Sequence, residues 1–201
     1  MAIIKHGNNA LANITAFPSA IPTGKPVLLS TATASSSASI EFSSGIDSTY
    51  DIYKFEFINM HPATSGAKFT CNASIDNGSN FNVVKTTTFF NAYHGETIAS
   101  QALQYLAGED IAQSTGYFNI STGVSNNNDA SVSGYFHLFN PSSTTYVKHF
   151  ISTINLDNAN YQQNEFVAGY FNDTNDLTNI SFKFSSGNID AGTIKMYGIS
   201  A

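Results

Sequence analysis

At 201 residues and a net charge of −6, with all eight basic positions lysine, the chain lacks the guanidinium forks and the cationic surface that nucleic acid or an anionic membrane would need, so neither is expected as a partner. Its one cysteine, Cys71, excludes an intrachain disulfide framework and a cysteine-rich zinc site. Only 11% of residues are charged against 42% hydrophobic and 13% aromatic, so solubility rests on Ser, Thr and Asn, and the length suits one domain with a well-filled core.

Residues 1–36 mix isolated apolar residues with Pro18, Pro22, Pro26 and a Ser/Thr/Ala tract and keep no period. They read as an extended N-terminal arm, and the spaced residues Ile3, Ile4, Leu11, Ile14, Phe17 and Ile21 are its candidate anchors on a neighbouring subunit. No cationic segment leading into an apolar run opens the chain, and no apolar stretch of about 18 residues occurs, so neither a secretion signal nor a membrane span is expected.

From Ser37 to Ala201 the pattern is strand after strand. "DIYKFEFIN" places Tyr53, Phe55 and Phe57 on one face, opposite Lys54 and Glu56, and "AKFTCNAS" groups Phe69, Cys71 and Ala73 in the same way. Asn77-Gly78 then predicts a tight hairpin into "NVVKTTTFF". "GETIASQALQYLAGED" departs from this pattern: Thr97 as N-cap, Ile98, Ala102, Tyr105 and Leu106 at helical spacing, and Gly108 as a stop predict one short helix. The runs "SGYFHLFN", "YVKHFISTIN", "NEFVAGYF", "NISFKFS" and "TIKMYGI" return to strands bounded by turn residues. About nine or ten strands and at most one helix, without a βαβ repeat, predict a two-layer antiparallel β-sandwich of jelly-roll type.

The tetrapeptide "FSSG" occurs in "IEFSSGIDSTY" and again in "FKFSSGNIDAGTI", each time between two strand-like runs and followed by an Ile-Asp pair. Two matching hairpins near opposite ends suit a sandwich whose first and last strands lie side by side. Convergence on a convenient turn explains them equally well, and no duplication is inferred.

Chemistry-bearing motifs are absent. His6, His61, His94, His137 and His149 show no spacing that presents two imidazoles to one metal; His137 and His149 read as hydrogen-bonded core or interface residues and His61 as a turn residue. "NNND" at Asn126–Asp129 and "NDTND" at Asn172–Asp176 carry oxygens that Ca²⁺ accepts but lack a calcium loop's length, glycine and closing Glu, so they read as solvated turns. Glu109-Asp110 are adjacent and point apart, so they cannot flank one bond. Cys71 reads as a small buried hydrophobe. No catalytic residue, metal or cofactor is expected. A carbohydrate-binding alternative would use Tyr93, Tyr161 and Tyr170 near Asn91, Asn160 and Asn172.

The runs "LLSTATASSSASIEFSSGIDSTYDIYKFEFINMHPAT", "FNPSSTTYVKHF" and "DAGTIKMYGIS" resemble small virion proteins of tailed phages of marine bacteria, cyanophages among them, and the likeness spans the chain from about Val27 to its end. The resemblance implies a non-enzymatic virion component assembled in the host cytoplasm. As a homo-oligomer with a trimer favoured, it would decorate the capsid exterior in contact with the major capsid protein. The alternative it implies is a tail component, a fibre or receptor-binding head that recognises a host surface glycan.

Overall fold

Alternating apolar and polar residues fold into antiparallel strands throughout the computed structural model, which describes residues 25–97, 99–158 and 160–200. Among them the strands are β1 (Val27–Thr33), β2 (Ile40–Phe42), β3 (Ile52–Pro62), β4 (Ala67–Ser74), β5 (Lys85–Gly95), β6 (Gln101–Tyr105), β7 (Phe118–Val124), β8 (Val132–Phe139), β9 (Lys148–Asp157), β10 (Tyr161–Phe171), β11 (Asn179–Phe184) and β12 (Ile189–Ile199). They form an eight-stranded sheet in the order β1-β12-β3-β8-β9-β10-β5-β6 and a four-stranded sheet in the order β2-β11-β4-β7. The two pack as the expected sandwich, and early and late strands are neighbours in both layers, β1 beside β12 and β2 beside β11, an order compatible with a jelly roll.

The period of two decides which side chains enter the core, although β4 and β11 are buried on both faces. Tyr53, Phe55 and Phe57 of β3 and Phe69, Cys71 and Ala73 of β4 all point inward, as their alternation predicts. Phe182 of β11 lies at the centre, with ring centroids 5.1 Å from Phe57, 5.3 Å from Phe55, 6.0 Å from Phe69 and 6.1 Å from Phe136. Phe136 links this group to a second one, in which Phe118 stacks on Phe150 at 4.7 Å and Phe150 meets Phe171 at 5.0 Å. Each such ring pair adds about 0.5–1.5 kcal/mol beyond the area it buries, so a continuous aromatic network supplies the cohesion that disulfides do not.

The two "FSSG" corners are not hairpins. Each carries the chain from the small sheet to the large one, β2 into β3 and β11 into β12. In both, a buried Phe (Phe42, Phe184) closes the strand, a glycine with positive φ (Gly45 at 79°, Gly187 at 69°) turns the backbone, and a buried Ile (Ile46, Ile189) re-enters the core. Because β2 and β11 run antiparallel, the corners sit at opposite ends of the sandwich. Asn77 and Gly78 do take positive φ, 58° and 83°, yet they too join different sheets, so the turn forms without the predicted hairpin.

Two further expectations are corrected. Among the described residues the predicted helix is absent: Ala102, Tyr105 and their neighbours form β6, which pairs with β5 along Tyr105↔Phe90 to Gln101↔His94. A lone helix of that length is marginal in water, whereas the free edge of β5 offers a complete ladder of backbone partners. The sandwich also begins before Ser37, since β1 pairs with β12 and lies within the stretch read as arm. The strand "FNISTGV", β7, is not among the predicted runs although Phe118, Ile120, Thr122 and Val124 alternate along it, and it pairs with β4 at the edge of the small sheet. Of the arm anchors, Ile3, Ile4, Leu11, Ile14, Phe17 and Ile21 all lie outside the described residues.

Candidate functional site

Among the described residues the four-stranded sheet covers one face of the eight-stranded sheet, and no strand covers the other, open face. Register sets what that open face presents. Phe166 pairs with Phe90 and Phe90 with Tyr105; Ile151 pairs with Ala168; Ala92 pairs with Leu103. These residues share one side of β9, β10, β5 and β6. Leu103 is 73% exposed, Tyr105 54%, Ile151 43% and Phe90 40%. The rings of Phe90 and Phe166 stack at 4.9 Å and 12°. The small side chain of Ala168 leaves a shallow depression of about 330 Å³, walled by Thr86, Thr88, His149, Ile151 and Tyr170.

Apart from Asp157 at the end of β9, the carboxylates and lysines that the strands present on this face sit on its other half. Lys54 Nζ lies 2.7 Å from Glu56 Oε1 on β3, and Lys195 of β12 pairs with Glu56 in register. The open face therefore carries an apolar band beside a charged region. No single residue signals it; it follows from strand order, which the alternation within each strand does not specify.

Of the two histidines read as core or interface residues, neither lies in the core. His137 and His149 both project on the open face: His137 stacks on Tyr135 at 4.9 Å with its pKa lowered by burial and secondarily by Lys54, and His149 is exposed. His61 does sit at a turn-side position, its Nε2 3.0 Å from the Asn127 carbonyl and its Nδ1 3.5 Å from Asp190 Oδ2. His94 is exposed and His6 lies outside the described residues. Asn175 donates through its backbone N–H and its side chain to Asp173 Oδ1, so that turn is closed by its own hydrogen bonds. Among the described residues no group of three or more His, Cys, Asp or Glu is placed to hold a metal.

Glu109 and Asp110 diverge as expected: Glu109 receives Lys68 Nζ at 2.7 Å and Asn119 Nδ2 at 2.9 Å, while Asp110 receives the Tyr105 hydroxyl. Of the tyrosine and asparagine positions, Tyr93, Tyr161 and Asn91 come together at the β5–β10 end of the large sheet, whereas Tyr170 and Asn172 gather separately around Gln113, and Asn160 is an exposed loop residue.

Sequence reasoning missed three ionisable groups turned into the sandwich. Lys85 is fully buried, donates to the Gly116 carbonyl at 2.6 Å, and is pushed down to about 8 by burial. Lys148 is equally buried, donates to the Asp173 carbonyl at 3.0 Å, and is shifted down for the same reason. Glu165 accepts the Thr122 N–H at 2.9 Å and the Thr122 hydroxyl at 2.5 Å, and burial raises it to about 7. Glu165 has no exposed surface, and that burial is the main cause of its raised pKa.

Cys71 has no exposed surface, and burial pushes its thiol well up with only partial opposition from Lys85. It is expected to resist an aromatic disulfide reagent in the native protein at pH 8 and to react fully once guanidinium unfolds the chain. Fast native labelling measured by absorbance would contradict this packing. Comparison of the chain with known protein families, with curated proteins and with solved structures finds no match.

Proposed function

We propose that this chain is a non-enzymatic structural protein of a bacteriophage virion, an oligomer with a trimer favoured that decorates the capsid exterior. The observation that carries the assembly reading is the apolar band of Phe90, Leu103, Tyr105 and Ile151 on the open sheet face. Burying such a band releases about 25 cal/mol per Å² of apolar surface, and a second copy of the same chain is the partner always present at matching concentration. The protruding Leu103 and the depression over Ala168 lie at different places on that face, and a knob and a socket so separated make a head-to-tail contact, which forms a ring where its rotation closes. The virion placement is supported by the resemblance across "LLSTATASSSASIEFSSG" and "DAGTIKMYGIS". A subunit that binds only the assembled shell stabilises it by its own binding free energy.

Sedimentation velocity at micromolar concentration tests the assembly. One species of fixed stoichiometry is expected, and the double variant Phe90→Ser with Leu103→Lys is expected to sediment as a folded monomer with an unchanged circular dichroism spectrum. A parent chain that stays monomeric across the range ends this reading. Electron microscopy of particles lacking the protein tests its location: shells that open at lower temperature support decoration, while intact shells that no longer adsorb would move the protein to the tail.

A further inference from the structure

We propose that the bowl between β5, β6 and β10 binds the ring of a neutral saccharide through Tyr93, Tyr161 and Asn91. The bowl is lined by these three residues with Gln104, Asn158 and Gln163, and encloses about 250 Å³, space for one sugar ring rather than an extended chain. Asn91 and Gln163 follow the same alternation as the buried Phe89 and Val167, so the bowl opens on the side of the large sheet that faces the small one. It is therefore on the opposite side from the apolar band, and assembly through that band leaves it accessible.

Three features point to a ligand of this class. Tyr93 and Tyr161 meet edge to face, with ring centroids 5.6 Å apart and planes at 84°, and offer the aromatic surface on which the C–H face of a pyranose stacks. Asn91 is only 2% exposed; its Nδ2 donates to Gln163 Oε1 at 3.0 Å, while its Oδ1 has no hydrogen-bond partner among the described residues. A buried amide oxygen left unpaired is costly, and a hydroxyl of the ligand would satisfy it. Every lining side chain is uncharged and the chain carries a net charge of −6, so an anionic sugar would lose hydration and gain no cation.

The floor of the bowl is held from behind. Thr122 Oγ1 gives its single proton to Glu165 Oε1 at 2.5 Å and lies 3.4 Å from Gln163 Oε1, so the Gln163 carbonyl oxygen is held by the Asn91 amide, and that pair is orientated before any ligand arrives. The larger hollow beside His61, about 430 Å³, has no comparable orphan, since the His61 ring is already held by Asn127 and Asp190.

Saturation-transfer NMR and calorimetry on the full chain test the proposal, using methyl glycosides of glucose, galactose, mannose and N-acetylglucosamine with glucuronate as the anionic comparison. At least one neutral glycoside is expected to bind with a Kd of about 1 mM and to weaken about tenfold or more in Tyr161→Ala. Tyr161→Leu keeps apolar bulk without the aromatic face and is expected to show the same loss; it serves as the deciding variant if the alanine protein is unstable. No neutral glycoside bound up to about 50 mM, binding kept by Tyr161→Leu, or a preference for glucuronate would each overturn the proposal. None of these results bears on the sedimentation test, so the two readings fail separately.

Discussion

Phe182→Ala is expected to remove about 4 kcal/mol of folding stability, the middle of the range for a fully buried aromatic. The ring touches both layers at once: Phe42 at 6.4 Å and Phe69 at 6.0 Å in the small sheet, Phe55, Phe57 and Phe136 in the large one. Its deletion leaves a cavity that rigid strands on both sides cannot collapse into, so the loss of packing adds to the loss of burial. Phe182→Leu should recover more than half of the effect, because most of the volume returns. Guanidinium titration measures this as a lowered midpoint at constant slope. A loss below about 1 kcal/mol would mean that the sheets are not in fact keyed together by this ring.

Glu165→Gln is expected to stabilise the protein at pH 8 by up to about 3 kcal/mol and to change little near pH 4.5. In the folded chain burial raises the Glu165 carboxyl from 4.5 to about 7, and the Thr122 bonds oppose this only in part. An acid whose folded pKa is raised holds its proton in the native state after the unfolded chain has released it. Its contribution is therefore whole below pH 4.5, is lost between 4.5 and about 7, and stays lost above. Glutamine keeps an oxygen to accept the Thr122 N–H and an amide to meet its hydroxyl, without a charge to bury. Melting curves at pH 5 and pH 8 distinguish the cases, at about 2–4 °C per kcal/mol for a chain of this size. Equal destabilisation at both pH values would show that Glu165 acts through its shape and not through its ionisation.

Much of the molecule was legible because burial in a sandwich obeys a period of two. Tyr53, Phe55 and Phe57, or Phe69, Cys71 and Ala73, needed no knowledge of their partners to be assigned to one face. The misreadings share a cause. Residues 95–110 carry a helical spacing that is real, but the edge of β5 competes for the same backbone groups and prevails. Phe42, Phe184 and their Ser-Ser-Gly corners look like hairpin ends because a turn's residues encode the reversal of the chain and not the layer it returns to. Lys85, Lys148 and Glu165 were overlooked because alternation alone gives no reason to turn a charged side chain inward.

The amino-acid order by itself determined the strand class, the inward face of most strands, and the positive-φ turn at Asn77-Gly78, since each depends on neighbours a few residues apart. Tertiary structure alone decided which strands lie side by side, and with that the apolar band that unites β9, β10, β5 and β6 and the bowl that brings Asn91, Tyr93 and Tyr161 together. The physical reason is that antiparallel pairing joins positions as far apart in the chain as Leu28 and Tyr197, and such register is settled by the fit of whole faces, a quantity that no local window of sequence contains.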